Sequence, residues 1–312
     1  MSSKGILYIF KVIALTFAIS ITIDRISFYL LNVLSDEVKT GQNIGKLNQY
    51  LLVNNDCDFL IFGSSRANHN IDPASISKKG FNMGIDGTKL AYSNTLIQLL
   101  PKKKKQTLLL HIDPENAFDI KYKGSDLKKL SSKYNRNNIV KKEMDRIEQN
   151  NIFQNIFYCL SYNGSFMAVL KNYFLPKYDY KIYNGFDPIH VTNNQREIFK
   201  NSLKKNNSAK CEKIFKINTL YKDYLIRIKE FCRINNKELI LFTSPKYQDD
   251  CKYDNNTFAQ LMKNKGITYF DMTDYFMNNN KTEFWKDKIH LSDKGAVIFT
   301  KKIKEQLSQV EK

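Results

Sequence analysis

Short apolar runs that alternate with helical patterns constrain this chain more than any other feature of its sequence. Five of them have the length of buried strands, namely residues 58–62 (DFLIF), 81–84 (FNMG), 107–112 (TLLLHI), 238–243 (ELILFT) and 267–270 (ITYF). Runs of this length, separated by helices, are typical of a parallel sheet with helices on both faces. We therefore predict an α/β fold with a parallel five-stranded sheet.

Helical spacing fills several of the gaps between these runs. We predict helices over residues 90–100, over 220–232, around 258–262 and from 292 to 310. The last one begins at a Ser292 cap, and its apolar residues recur at spacings of three and four, as one face of a helix requires. Asp72-Pro73 indicates a further helix start, because Asp caps helices and Pro suits the first helical position.

Residues 5–23 form an apolar stretch that contains a single charge, Lys11. A membrane span needs about 20 mostly apolar residues, and a Lys near one end can reach the headgroups. Lys4 lies on the N-terminal side, so the positive-inside rule keeps the N terminus cytoplasmic and exports the remainder. A signal-peptidase site at residues 18–20 and a buried helix of a soluble protein are the alternatives. We favour an uncleaved single-pass membrane anchor, because residues 26–31 continue apolar past any cut.

This interpretation divides the chain into two parts. Residues 1–34 are the anchor and its juxtamembrane segment, and residues 35–312 are one extracytoplasmic domain. Within that domain, residues 119–210 lack a strand rhythm and are rich in Tyr, Asn and Lys. We interpret them as a helical insertion that leans over the functional site and not as an independent domain.

Composition excludes several classes of protein. A hydrophobic content of 42% excludes a mainly disordered chain. The net charge is +18, but only 7 of the 49 basic residues are Arg, the side chain best suited to phosphate and guanine, so we expect no nucleic-acid partner. The five Cys are widely spaced without a C-x-x-C pair, and the four His show no metal-ligand spacing. For the cysteines we favour structural burial, with one disulfide as the alternative, and we expect no metal and no cofactor.

Three loops at predicted strand ends carry the candidate chemistry. They are residues 63–66 (GSSR), 81–88 (FNMGIDGT) and 287–291 (DKIHL). A glycine turn can expose a serine hydroxyl beside backbone amides. A carboxylate three residues before a histidine can hold its Nδ1–H and leave Nε2 free as a base. Each motif alone is more often a turn or a helix cap, but their order along the chain favours a nucleophile, a base and an orienting acid.

Together these motifs resemble the SGNH (GDSL-like) hydrolase superfamily, from about residue 58 to residue 310. The resemblance implies a flavodoxin-like, three-layer α/β/α fold. It also implies a catalytic triad in which Ser65 is the nucleophile, His290 the base and Asp287 the orienting acid. The backbone amides of Ser65 and Gly87 would then form part of the oxyanion hole.

One family feature differs in this chain. The family usually supplies an Asn side chain to the oxyanion hole from a G-x-N-D motif after the third strand, where this chain has residues 111–116 (HIDPEN). Asn116 is the candidate for that role. The anchor, the G-S-S sequence and the absent motif resemble a branch of exported proteins that handle acyl groups on cell-envelope polymers, such as the alginate and teichoic-acid modification proteins. That branch implies a glycan substrate and a membrane-bound O-acyltransferase as partner.

The residues near the predicted nucleophile have alternative roles. Arg66 is a candidate to bind an anionic group of the substrate, or to pair with a carboxylate. His69 is a candidate to line the substrate pocket, or a helix residue that faces solvent. We expect His111 to be a satisfied core histidine and His190 to belong to a loop over the site.

Three hypotheses of function remain open from the sequence. The first is a serine acyltransferase or esterase that acts on a cell-envelope polysaccharide. The second is a non-catalytic protein of the same fold that holds glycan or a membrane partner, which the absent Asn motif favours. The third, ranked lowest, is a peripheral protein that its Lys residues hold to anionic lipid.

Overall fold

The computed structural model describes residues 3–204, 215–249 and 252–310. The chain forms two compact units, one of residues 1–48 with 128–178 and the other of residues 49–127 with 179–312. Part of the predicted insertion thus groups with the N-terminal segment, and the predicted domain limits stay a prediction.

The second unit contains a five-stranded sheet whose paired strands all run parallel, in the order β2-β1-β3-β4-β5. The strands are β1 (Phe59–Phe62), β2 (Gly80–Asn82), β3 (Gln106–His111), β4 (Lys237–Thr243) and β5 (Thr268–Asp271). The predicted α/β fold and parallel sheet are confirmed. The ends of β2 and β5 lie one or two residues from their predicted positions.

Eleven α-helices occur in the described ranges of the chain. They are α1 (Ser3–Glu37), α2 (Lys46–Val53), α3 (Ser65–Asn70), α4 (Leu90–Ile97), α5 (Pro114–Phe118), α6 (Asn138–Arg146), α7 (Phe166–Phe174), α8 (Asn193–Leu203), α9 (Thr219–Ile234), α10 (Tyr253–Asn264) and α11 (Asp293–Val310).

The central strands β1 and β3 are almost entirely buried, because helices pack on them and most of their side chains are large and apolar. Phe59 and Ile61 of β1 belong to a core cluster with Ala67 of α3 and with Phe299 and Ile303 of α11. Since side chains alternate along a strand, these residues mark one face of the sheet. Helix α9 packs against β4 and also against α4.

The first unit contains α1, which is 35 residues long. An 18-residue window of this helix has a mean hydropathy of 2.3, and none of that window is buried. By length and composition α1 is able to cross a membrane, as an anchor or as a signal sequence. Its C-terminal half is different, because Phe28 joins a small core with Val38, Ile44, Tyr162 and Val169.

Two of the predicted structural cysteines, Cys57 and Cys232, are buried free thiols, and Cys159 is a half-buried free thiol. Burial raises the pKa of the Cys232 thiol to about 12, which keeps it protonated. Cys211 and Cys251 lie outside the described residues.

Candidate active site

The turn after β1 brings two serines to the edge of the sheet. Gly63 has φ +137°, and a Cβ at this position would lie 2.5 Å from the Cβ of His111. Glycine therefore permits both the backbone angle and the close approach. Ser64 is the N-cap of α3, with its Oγ accepting from the Arg66 amide, and Ser65 is the first residue of the helix. The Ser65 amide belongs to the first helical turn, where amides have no partner within the helix.

A tight loop before α11 holds the predicted acid and base. Trp285 and Leu291 form an antiparallel bridge, and the Lys286 amide donates to the His290 carbonyl at 3.0 Å. The Leu291 amide donates to the side chain of Asn70, at the C-terminal end of α3. The helix that begins at the serine is thereby bonded to the loop that carries the histidine.

Ser65, His290 and Asp287 form a continuous hydrogen-bonded chain. Ser65 Oγ lies 2.8 Å from His290 Nε2, and His290 Nδ1 lies 2.9 Å from Asp287 Oδ2. A carboxylate can only accept, so Nδ1 carries the hydrogen and the lone pair of Nε2 faces the hydroxyl. The sequence places Ser65 and His290 225 residues apart. The fold thus brings the three residues of the predicted triad together.

The surroundings of the Asp287 carboxylate favour its charged form. Burial opposes its ionisation, but the bond from His290 and the amides of Ile289 and His290 outweigh that effect and lower the pKa of Asp287 to about 2. The amide bonds also fix the carboxylate against the imidazole. An anion held in this position orients the ring and stabilises the imidazolium that forms when Nε2 takes a proton.

This arrangement lies at the carboxyl edge of the parallel sheet. The strand order reverses at β1, because β2 pairs with one side of it and β3 with the other. Ligands of open α/β sheets bind in the crevice at such a reversal. Ser65 lies three residues after the end of β1, so its hydroxyl is at the edge where the fold favours a ligand.

A second serine and histidine meet at the same edge. Ser64 Oγ lies 3.3 Å from Nδ1 of His111, the last residue of β3. The His111 ring is buried, and its Nε2 has no hydrogen-bond partner. Burial lowers the pKa of His111 to about 3, so the ring is neutral at ordinary pH. The expectation of a satisfied core histidine is therefore wrong in one respect, since only one ring nitrogen is paired.

Arg66 is bonded inside the protein and is not available to a substrate. Its guanidinium pairs with Asp113 and donates to the carbonyls of Ser244 and Pro245, at 2.6 and 3.3 Å. Only 3% of the side chain is exposed. Burial opposes ionisation of Asp113, but the neighbouring Arg66 lowers its pKa overall. Of the two roles predicted for Arg66, pairing with a carboxylate is the one that the structure contains.

His69 lies beside the triad, and its role in lining a substrate pocket stays a prediction. Its ring centroid is 6.2 Å from that of His290. Its Nδ1 lies 2.6 Å from the Asp187 carbonyl, and its Nε2 lies 3.1 Å from Asp86 Oδ1. His69 and Asp86 thus form a second histidine–carboxylate pair next to the first.

The remaining predicted residues occupy different positions. Gly87 lies in the loop after β2 with φ +67°. Asn116 lines a small cleft with Ser64 and His111, and no hydrogen bond among the described residues joins its side chain to the triad. His190 is exposed and its Nδ1 lies 2.8 Å from Asp293.

Sequence reasoning missed Asp86 and Asn70 as parts of this site. Asp86 stands within the glycine-containing loop after β2, one strand away from Ser65, so a carboxylate between two glycines at that edge was an available signal. No sequence pattern indicates the role of Asn70, because that role depends on a hydrogen bond from Leu291, 221 positions later.

No group of three or more His, Cys, Asp or Glu suited to a metal occurs among the residues that the structure describes. Comparison with known protein families and with curated proteins finds no match for this chain.

Proposed function

We propose that this protein is an exported serine acyltransferase or esterase that acts on O-acyl groups of a cell-envelope polysaccharide. The observation that carries the proposal is the chain of contacts from Ser65 Oγ to His290 Nε2 at 2.8 Å and from His290 Nδ1 to Asp287 at 2.9 Å. A hydroxyl, an imidazole and a carboxylate in this order are the parts of a serine nucleophile and its base.

The chemistry has two halves. Ser65 Oγ attacks the acyl carbonyl carbon while His290 Nε2 takes the hydroxyl proton, and Asp287 stabilises the imidazolium. The tetrahedral intermediate collapses, the C–O bond to the leaving alcohol breaks, and His290 returns the proton to that alcohol. The acyl group is then an ester of Ser65. Water in an esterase, or a sugar hydroxyl in a transferase, then attacks the acyl carbon while His290 Nε2 takes its proton. The bond from that carbon to Ser65 Oγ breaks, and His290 returns the proton to Ser65.

The developing oxyanion needs hydrogen-bond donors. The amide of Ser65 is one candidate, since it lies in the first turn of α3, and the amide of Gly87 is the second. Loss of one oxyanion donor typically costs about 10²–10³ in rate. A site with two backbone donors and no Asn side chain is therefore expected to be slow but active.

The fold is compatible with the SGNH resemblance. The order β2-β1-β3-β4-β5 is that of flavodoxin-like doubly wound sheets. The three motifs lie at the carboxyl ends of β1 and β2 and before α11, as the resemblance implies. Fold analogy alone does not assign a reaction, so the triad carries the proposal and the fold supports it.

The proposed location follows from α1. An uncleaved span over residues 5–23, with Lys4 on the cytoplasmic side, places the rest of the chain outside the cytoplasm. A membrane-bound O-acyltransferase is the proposed source of the acyl group, and an envelope glycan is the proposed acceptor or substrate. The chemistry needs no cofactor.

Labelling with a fluorescent fluorophosphonate tests the proposal directly, because the probe reacts with activated serines. We expect the full-length protein to be labelled and Ser65→Ala to lose the label. Ser64→Ala is the matched control, since it removes the neighbouring hydroxyl, and it should retain the label. Absence of labelling in a wild-type protein that unfolds cooperatively would contradict the proposal.

That outcome would instead favour a scaffold that holds glycan without chemistry. The position of Asn116 is the observation behind this second candidate, because its cleft includes Ser64 and His111 rather than the triad. A folded, unlabelled protein that still binds envelope glycan would identify the scaffold.

A further inference from the structure

The first unit carries a second apolar surface besides the exposed half of α1. It lies on the short helix Ile152–Asn155, on the residue after it and on α7. We call it the 152–175 face, and its large exposed apolar residues are Ile152, Phe153, Ile156, Phe166, Met167, Tyr173, Phe174 and Leu175. Water-soluble proteins rarely expose so many large apolar residues in one region, and such patches mark contacts with membranes or partners.

Hydrogen bonds and ring contacts fix the chain between the two parts of this face to α1. The Asp24 carboxylate accepts from the amides of Tyr158 and Cys159, at 2.8 and 3.0 Å. The Arg25 guanidinium lies 3.3 Å from the centre of the Tyr158 ring. Asp24 also pairs with Arg25, at 2.6 Å. Both charges at this end of the apolar stretch are therefore compensated within the protein.

A further contact sets the depth of this segment along α1. The ring of Phe157 lies 6.2 Å from the ring of Phe17. Phe17 stands six residues before Ile23, the end of the apolar stretch, and six residues of helix rise about 9 Å. If residues 5–23 cross the hydrocarbon, Phe157 lies at a level about 9 Å inside its boundary. Interfacial segments bury their apolar side chains to about 5–10 Å.

Helix α7 also carries exposed apolar residues. Phe166, Met167, Tyr173 and Phe174 are all exposed, at spacings that place them on one side of a helix. Val169 on another side is fully buried in the small core with Phe28 of α1. Helix α7 therefore has apolar residues both on the side of Val169, which packs in the core, and on its exposed side.

The chemistry around these residues fits a lipid headgroup region. Tyr173 is exposed beside Phe174, and aromatic residues are enriched where hydrocarbon meets water. Lys171 and Lys177 are exposed in the same segment, and Lys near a membrane surface is attracted to anionic lipids.

We propose that the 152–175 face inserts into the outer leaflet beside α1, so that the first unit contacts phospholipid through both a span and an in-plane surface. The inference rests on the proposed membrane span of α1, and it does not depend on the triad. Part of the predicted insertion would then bind the membrane, in addition to the anchor.

Tryptophan quenching by brominated phosphatidylcholine tests the inference in proteoliposomes of the full-length protein. Trp285 is fully buried and gives the same background in every variant. Phe153→Trp and Phe174→Trp add a reporter on the face, at positions 58% and 70% exposed. Leu15→Trp reports on the exposed side of α1. Ile139→Trp is the control, at an exposed apolar position of α6 in the same unit, three residues after Arg136, which pairs with Asp36 at the far end of α1.

We expect the added fluorescence at positions 153, 174 and 15 to fall strongly in brominated lipid and that at position 139 to stay unchanged. Quenching at position 15 without quenching at 153 and 174 would overturn the inference and leave the anchor intact. No quenching at any position would contradict the span itself. Equal quenching at position 139 would show that the effect is not specific to the 152–175 face, and would also overturn it.

Discussion

Two adjacent serines in the turn after β1 each meet a histidine, and the two pairs differ in almost every other respect. Ser65 Oγ lies 2.8 Å from Nε2 of His290, whose other nitrogen is bonded to Asp287. Ser64 Oγ lies 3.3 Å from Nδ1 of His111, whose other nitrogen is buried without a partner. One imidazole is oriented by an anion and reaches solvent, and the other is enclosed.

The difference shows what a hydroxyl–imidazole contact needs before it can do chemistry. To act as a base, the ring must accept a proton, and the resulting cation must be stabilised. Asp287 supplies that stabilisation to His290, because its low pKa keeps it negative. The His111 ring is buried, and burial lowers its pKa to about 3. The charged ring therefore does not form at neutral pH. Only the first pair is therefore suited to activate its serine.

The largest expected effect comes from removing the anion of the first pair. Asp287→Asn retains the shape of the side chain, but its amide group can donate to Nδ1 and so favour the wrong tautomer of His290. We expect fluorophosphonate labelling of Ser65 to slow by about 10⁴-fold, as in other triads that lose the acid. The rate is measured from the time course of labelling at pH 7.

A matched control is available on the surface of the same unit. Asp293 also contacts a histidine, His190, at 2.8 Å, so Asp293→Asn makes the same chemical change at an exposed pair. That variant should be labelled at the wild-type rate. Equal rates for Asp287→Asn and the wild type would show that the acid does not serve the serine, and the contrast between the two pairs would lose its basis.

A smaller effect concerns the buried ring of the second pair. The folded-state pKa of His111 is about 3, below the value of about 6.5 for an unfolded histidine. Between these values the unfolded chain binds a proton that the folded protein excludes, so stability falls as pH falls. From this group alone the slope approaches about 1.4 kcal/mol per pH unit below pH 6.

Denaturant unfolding from pH 7 to pH 5, monitored by the fluorescence of buried Trp285, measures this slope. His111→Gln cannot titrate, so its unfolding free energy should decline less steeply with acid than that of the wild type. The wild-type advantage therefore shrinks as pH falls. Parallel curves for the two proteins would mean that His111 does not titrate differently in the folded state.

The same comparison separates what the sequence specifies from what it leaves open. The turn Gly63-Ser64-Ser65 could be recognised because an apolar run stops abruptly at a glycine, and the spacing of Asp287 and His290 allows a contact within one loop. The second pair could not be recognised. His111 reaches Ser64 through the pairing of β1 with β3, and the burial of its ring depends on neighbours from elsewhere in the chain.

Local signals also specified the start of an element better than its length. The Asp72 side chain accepts from the Ala74 amide, as the predicted cap requires, but the helical segment is only Pro73–Ser75. Strand β2 begins at Gly80, so few residues are available for a longer helix after Pro73. The role of Arg66 could not be predicted from the sequence either, because its partner Asp113 follows a different strand.

The smallest expected effect distinguishes the two hydroxyls themselves. Ser64→Ala removes the cap of α3 and the partner of His111 Nδ1, whereas Ser65→Ala removes a hydroxyl outside the capping position. We expect Ser64→Ala to lower the free energy of unfolding by about 1 kcal/mol, typical of a lost N-cap, and to retain labelling.

Ser65→Ala should behave in the opposite way, with loss of labelling and a free energy of unfolding within about 0.5 kcal/mol of the wild type. Denaturant unfolding and labelling of both variants under one set of conditions give the two readouts. If Ser64→Ala loses the label while remaining folded, the hydroxyl at position 64 takes part in the chemistry. The cleft of Asn116 and His111, and not the edge at His290, would then be the place to look for the substrate.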